Sequence, residues 1–114
     1  MDKKNIRKKI YGGELLAVYG DFLTTKQYEY MELYYQEDYS LAEIAENYHV
    51  SRVAIHNQIM AATQKITEFE EKLHVSFLLQ HALPKLQIAL TENDMDKAKD
   101  IMTEIKLKID WRDE

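Results

Sequence analysis

The stretch Ser40-Leu41-Ala42-Glu43-Ile44-Ala45-Glu46-Asn47-Tyr48-His49-Val50-Ser51-Arg52-Val53-Ala54-Ile55-His56-Asn57-Gln58-Ile59 carries two helical patterns separated by a short turn. Ser40 and Glu43 have the spacing of a capping box, in which the Ser hydroxyl and the Glu carboxylate satisfy each other's backbone N–H groups. The pattern then runs through Ile44 and Ala45 and ends near Tyr48. His49-Val50 reads as a turn, and Ser51 reads as the cap of the next helix. Ile44, Ala45, Tyr48, Val50 and Ile55 stand where a helix-turn-helix needs apolar residues. Ala45 must be small because the second helix crosses there, and Ile44, Val50 and Ile55 are expected to form the core between the helices. The turn position occupied by His49 often needs a left-handed backbone, which His tolerates better than a branched residue does. Ile59 falls one residue after the usual second core position, which Gln58 takes.

Working outward, Thr24-Thr25-Lys26-Gln27 has the spacing of a second capping box. It opens a helix carrying Tyr28, Met31, Leu33, Tyr34 and Tyr35, which Glu37-Asp38-Tyr39 breaks. Upstream, Ile6, Ile10, Ala17 and Val18 suggest a first helix, interrupted by Gly12-Gly13 and so expected to begin near Glu14. Downstream, Ile55, Ile59, Ala62, Ile66, Phe69 and Leu73 follow spacings of four and three, a heptad-like seam. Such a seam packs on another helix, and a second copy of the chain is one candidate. Val75, Leu79, Leu83, Leu86 and Leu90 continue an apolar face in which Pro84 should break or kink the helix. Thr91 to Asp94 reads as a loop and cap. Met95, Ala98, Met102, Ile105 and Ile109 form a last amphipathic helix, with Trp111 beyond.

Composition agrees with an all-α chain. The 114 residues include only three Gly and one Pro, too few for the turns of a sandwich or barrel. The length suits a single all-α domain over 1–114, with a helix-turn-helix core at about 24–66 and a C-terminal helical extension at 67–114. The absence of Cys excludes disulfide scaffolds, thiolate metal sites and thiol nucleophiles. His49, His74 and His81 have no metal-ligand spacing, and Glu37-Asp38 reads as a solvated loop. No nucleophile motif or phosphate-cradling Gly-rich loop is present, so neither an enzyme nor a cofactor is expected. No run approaches the length of a membrane span, and no clean signal peptide follows the basic N-terminus.

Charge is uneven. The net charge is −5, yet residues 1–10 carry +4 and residues 11–50 carry −7. Between residues 51 and 67 there is no acid, only Arg52 and Lys65. Candidate DNA-binding residues are therefore Ser51, Arg52, His56, Asn57 and Lys65. Arg pairs with guanine and Asn with adenine in the major groove. Arg52 reads equally as an ion pair with Glu43 or Glu46, and His56 reads as plain surface ahead of a DNA contact. Lys3 to Lys9 reads as an arm onto phosphate or as a solubilising tail. The Tyr residues read as core and its rim. Low positive charge predicts weak DNA binding with a shallow salt slope.

Leu23 to Gln27, Leu33-Tyr34-Tyr35, Tyr39 to Ala45 and Val50-Ser51-Arg52 resemble region 4 of bacterial sigma factors. More narrowly, Glu32 to Tyr35 and Asp38 to Ala45 resemble the YlxM-like family of helix-turn-helix proteins. The likeness covers roughly residues 14–80. It implies an all-α, cytoplasmic regulatory protein without catalytic residues, associated with the signal recognition particle pathway. Two functions follow as expectations. One is a DNA-binding regulator, working as a homodimer through the 55–73 helix. The other is an adaptor of the signal recognition particle, in which the acidic 11–50 segment meets a basic partner.

Overall fold

The computed structural model describes residues 3–109, with Lys4 and Asn5 described by backbone only. Trp111 lies outside the described residues. Every described element is helical, as the scarcity of turn residues requires. The chain divides into two compact units, Met1–Phe69 and Glu70–Glu114, where the sequence pattern suggests one domain with an extension from 67.

The first unit begins with α1, Lys3–Tyr19, which runs straight through Gly12-Gly13. The glycines do not interrupt this helix; they let another element approach it. A Cβ on Gly12 would run into the Tyr35 ring, and the Gln36 amide donates to the Gly13 carbonyl at 3.3 Å. The buried face of α1 is Leu15, Leu16 and Tyr19, whereas Ile6, Ile10 and Ala17 are exposed. A 3₁₀ turn, Gly20–Phe22, leads to α2, Thr25–Met31. The Thr24 capping box forms as expected: Gln27 N–H donates to Thr24 Oγ1 at 3.1 Å and Thr24 N–H to Gln27 Oε1 at 3.2 Å. The helix then widens into a π turn, Glu32–Gln36, closed by Glu37 N–H on the Glu32 carbonyl at 3.1 Å.

Next come α3, Leu41–Tyr48, and α4, Arg52–Leu73. Ile55, Ile59, Ala62 and Ile66 are buried within the single chain. Beside them Thr63 meets Tyr35 and Met31, and Phe69 stacks on Tyr19 and meets Phe22 at a tilt. The heptad-like seam is thus occupied by the chain's own helices as far as Phe69, and its last position, Leu73, is 51% exposed.

In the second unit, a three-residue helical turn, α5 (Val75–Phe77), a π turn (Leu78–Ala82) and α6 (Leu83–Thr91) follow one another. Pro84 does not break this run. A proline has no N–H for the ordinary bond to residue i−4. The π turn changes the bonding register just before it, with Leu83 N–H reaching the Leu78 carbonyl. Asn93 then takes a left-handed conformation, and Asp94 caps α7, Met95–Ile109, by accepting from Lys97 N–H at 3.0 Å. The core is Ala82, Ala89, Ala98, Ile101 and Ile105, with Leu86 and Ile109 packed on it. Leu79, Leu83 and Leu90, expected on the inner face, are exposed.

Candidate nucleic-acid interface

The site is built by the turn between α3 and α4. The Ser40 box starts α3: Glu43 N–H donates to Ser40 Oγ, and Ser40 N–H to Glu43 Oε1, each at 3.1 Å. His49 stops it in the left-handed region at φ 57°. Two backbone bonds close the end, from Val50 N–H to the Ala45 carbonyl and from His49 N–H to the Glu46 carbonyl. This is a Schellman closure with His where Gly is usual. Tyr48 braces α3 against α2, donating to Glu29 Oε2 at 3.0 Å and meeting Tyr30 edge-on. Burial and the Glu29 carboxylate both hold the Tyr48 hydroxyl above its ordinary pKa, so it stays a donor.

Ser51 then starts α4 in a new direction, accepting from Ala54 N–H at 3.0 Å. Ile44 and Ile55 are fully buried between the helices, and Ala45 is buried at the crossing. Val50 does not join that core: it is 43% exposed. Closing α3 through its backbone leaves the Val50 side chain at the outer edge of the turn.

Ser51, Arg52, His56 and Asn57 come together on the exposed first turns of α4. At 100° per residue, Asn57 points directly away from the buried stripe, with Arg52 and His56 along one flank. Apart from the Ser51 cap, these side chains have no hydrogen bond or ion pair among the described residues, and Arg52 is not paired with Glu43 or Glu46. Lys65 does not join them. Helix geometry puts it on the other flank, and its Nζ donates to the Phe22 carbonyl at 2.7 Å. Lys65 is thus a tie between α4 and the 3₁₀ turn.

The basic N-terminal run is neither a free arm nor a tail, since Lys3 to Lys9 lie in α1. Lys9 bonds Asp38 Oδ1 at 2.6 Å and sits 4.6 Å from the Tyr34 ring centre. Six of the eight tyrosines lie in the core or at its rim, Tyr19 and Tyr30 buried and Tyr34, Tyr35, Tyr39 and Tyr48 half-buried, whereas Tyr11 and Tyr28 are exposed. Among the described residues, no three His, Asp or Glu are grouped to hold a metal ion, and no helix is long and apolar enough to cross a membrane.

Residues 6–109 match a family described as "UPF0122: Putative helix-turn-helix protein, YlxM / p13 like". The chain is similar to a UPF0122 protein of Limosilactobacillus reuteri, 46% identical over 70 residues, covering 61% of this chain and 62% of the relative. A UPF0122 protein of Lactococcus lactis subsp. cremoris is 48% identical over 61 residues, covering 54% and 55%. One of Desulforamulus reducens is 53% identical over 55 residues, covering 48% and 47%. The matched segments thus span about half to three-fifths of these curated relatives.

Proposed function

The chain belongs to the UPF0122 family of YlxM / p13-like helix-turn-helix proteins, and from that premise we propose that it is a cytoplasmic DNA-binding regulatory protein. One observation carries the reading. The left-handed His49 and the Ser51 cap aim α4 so that Arg52, His56 and Asn57 project from its first turns with no hydrogen-bond or ion-pair partner among the described residues. That is the disposition of a helix that reads base edges in the major groove. Because Lys65 is engaged by Phe22, few cations are left to meet phosphate. Binding is weak, and affinity falls with salt by about 0.9 per neutralised phosphate on logarithmic axes.

Titration of duplex DNA at two salt concentrations tests this. Arg52→Ala and Asn57→Ala each weaken binding by about tenfold or more, at about 1–3 kcal/mol per base contact. Native protein that binds no duplex at low salt would overturn the reading. A homodimer stays in this proposal only through surfaces outside the occupied seam, such as the exposed Met60 on the outer side of α4. Sedimentation equilibrium decides it: a monomer presents one recognition helix per site and removes the arrangement of two half-sites.

A second reading, an adaptor of the signal recognition particle, draws support from the exposed acids Glu32, Glu37, Glu43 and Glu46. Capture of the particle by the native chain, lost in Glu37→Lys/Glu46→Lys, is the outcome that would favour it. Glu29 and Glu43 are unsuitable for that test, because they hold Tyr48 and the α3 cap.

A further inference from the structure

Lys8 and Lys9 of α1, Tyr34 and Tyr35 of the first π turn, the first turn of α3 and Arg52 line a groove of about 480 Å³. That volume is within the usual range for small-molecule sites. Three cations face this hollow in a chain whose net charge is −5. Lys9 is already balanced by Asp38 and the Tyr34 ring. Lys8 and Arg52 have no hydrogen bond or ion pair among the described residues. The start of α3 does not create the demand for an anion, because its capping box is complete. What the groove offers an anion is the charge of two exposed side chains that no acid among the described residues balances.

Their chemistry selects the ligand. A guanidinium offers a planar fork and an ammonium a compact point charge, and both suit phosphoryl oxygens. A single carboxylate would answer one of them. Two linked phosphoryl groups answer both, and Tyr34 and Tyr35 leave an aromatic wall for a planar group beside them. We propose that this groove binds a diphosphate-bearing small molecule of the nucleoside diphosphate class, held by Lys8 and Arg52. Arg52 also borders the neighbouring hollow lined by Leu41, Val53 and His56. One guanidinium therefore serves both the groove and the recognition helix. A ligand that draws Arg52 into the groove takes it from DNA, a consequence that rests on the DNA-binding reading, whereas the site itself does not.

Isothermal titration calorimetry on the full chain, with inorganic pyrophosphate, ADP and orthophosphate as probes, tests the site. Pyrophosphate and ADP bind saturably, with orthophosphate at least about tenfold weaker. Lys8→Gln and Arg52→Gln each weaken ADP about tenfold, the loss of one charge-assisted contact. Arg52→Lys recovers part of the loss, and Lys72→Gln, outside the groove, changes nothing. Circular dichroism confirms that these surface variants stay folded. No saturable binding of pyrophosphate or ADP, or an equal loss in Lys72→Gln, would overturn the proposal. In a DNA titration, ADP weakens the native complex beyond sulfate at matched ionic strength, but not that of Lys8→Gln. Calorimetric binding with unchanged DNA affinity overturns the coupling alone. Calorimetric binding by a chain that never binds duplex overturns the DNA reading and upholds the site.

Discussion

The tripeptide His-Val-Ser occurs twice, at 49–51 and at 74–76, and both copies follow a helix. Both histidines are left-handed, at φ 57° and 54°. The surroundings nevertheless give the two turns different chemistry. At the first, two backbone bonds close α3 and the exposed Ser51 hydroxyl caps α4. At the second, a bond from His74 N–H to the Glu70 carbonyl closes α4. Ser76 is buried there, and its N–H and that of Phe77 donate to the two oxygens of the Glu70 carboxylate, each at 3.0 Å. Glu70 is itself only 7% exposed. The same three residues supply a side-chain acceptor in one place and a backbone donor in the other. Local sequence sets the left-handed backbone, while burial and the preceding helical turn decide which group satisfies the next helix.

The largest effect should separate packing from capping. The first turn rests on Ile44 and Ile55, both fully buried, so Ile55→Ala lowers stability by about 3–4 kcal/mol in urea unfolding. A loss below about 1 kcal/mol would mean that caps, not packing, hold that turn. Next is Glu70→Gln, which preserves shape but leaves one of the two N–H groups, Ser76 or Phe77, facing an amide NH₂. It costs about 1.5–3 kcal/mol, and hydrogen exchange at Ser76 and Phe77 quickens. Protection that stays unchanged there would remove the contrast between the turns. Third, Ser51→Ala costs about 1 kcal/mol through its lost cap. Ser76→Ala stays below about 0.5 kcal/mol because its backbone bond to Glu70 survives. The reverse order would break the comparison.

The smallest effect concerns the brace of the first turn, Tyr48 on Glu29. Its hydroxyl titrates above the ordinary value of 10.0 in the folded chain. That stabilisation is therefore complete below the unfolded value and is lost as pH rises through the raised folded one. Tyr48→Phe flattens the fall in stability as pH rises above the ordinary value of 10.0. Parallel pH curves for the two proteins would show that the brace adds nothing.

What the sequence discloses follows the range of the interaction. Both capping boxes, the left-handed His49, the Ser51 cap and the burial of Ile44, Ala45, Ile55 and Ile59 are all settled within a few residues. The misread features depend on distant partners. Gly12 reads as a helix breaker until Tyr35 is laid against it. Lys65 reads as a phosphate contact until the Phe22 carbonyl takes it. The inner face of α1 was invisible because exposed Ile6 and Ile10 are as apolar as buried Leu15 and Leu16. On α6 the small Ala82 and Ala89 face the core while larger leucines do not. Glu70 left no signal, since a carboxylate on a long helix normally lies in water.

The two π turns bear on how this chain tolerates changes in length. Each is a helical stretch with one residue more than an α-helix would use, closed by a bond across five residues instead of four. Deleting one residue within 32–36 would return the stretch to an ordinary helical turn and draw in the residues that the wider turn pushes outward. Tyr35 would swing off Gly12 and Gln36 off Gly13, so the extra residue there is fixed by the helix it leans on. The turn at 78–82 lies instead just before a proline that could not have made an ordinary helical bond. A chain shortened by one residue at the first turn would lose an aromatic contact, whereas one shortened at the second would bring Pro84 into an ordinary helical register that it cannot bond.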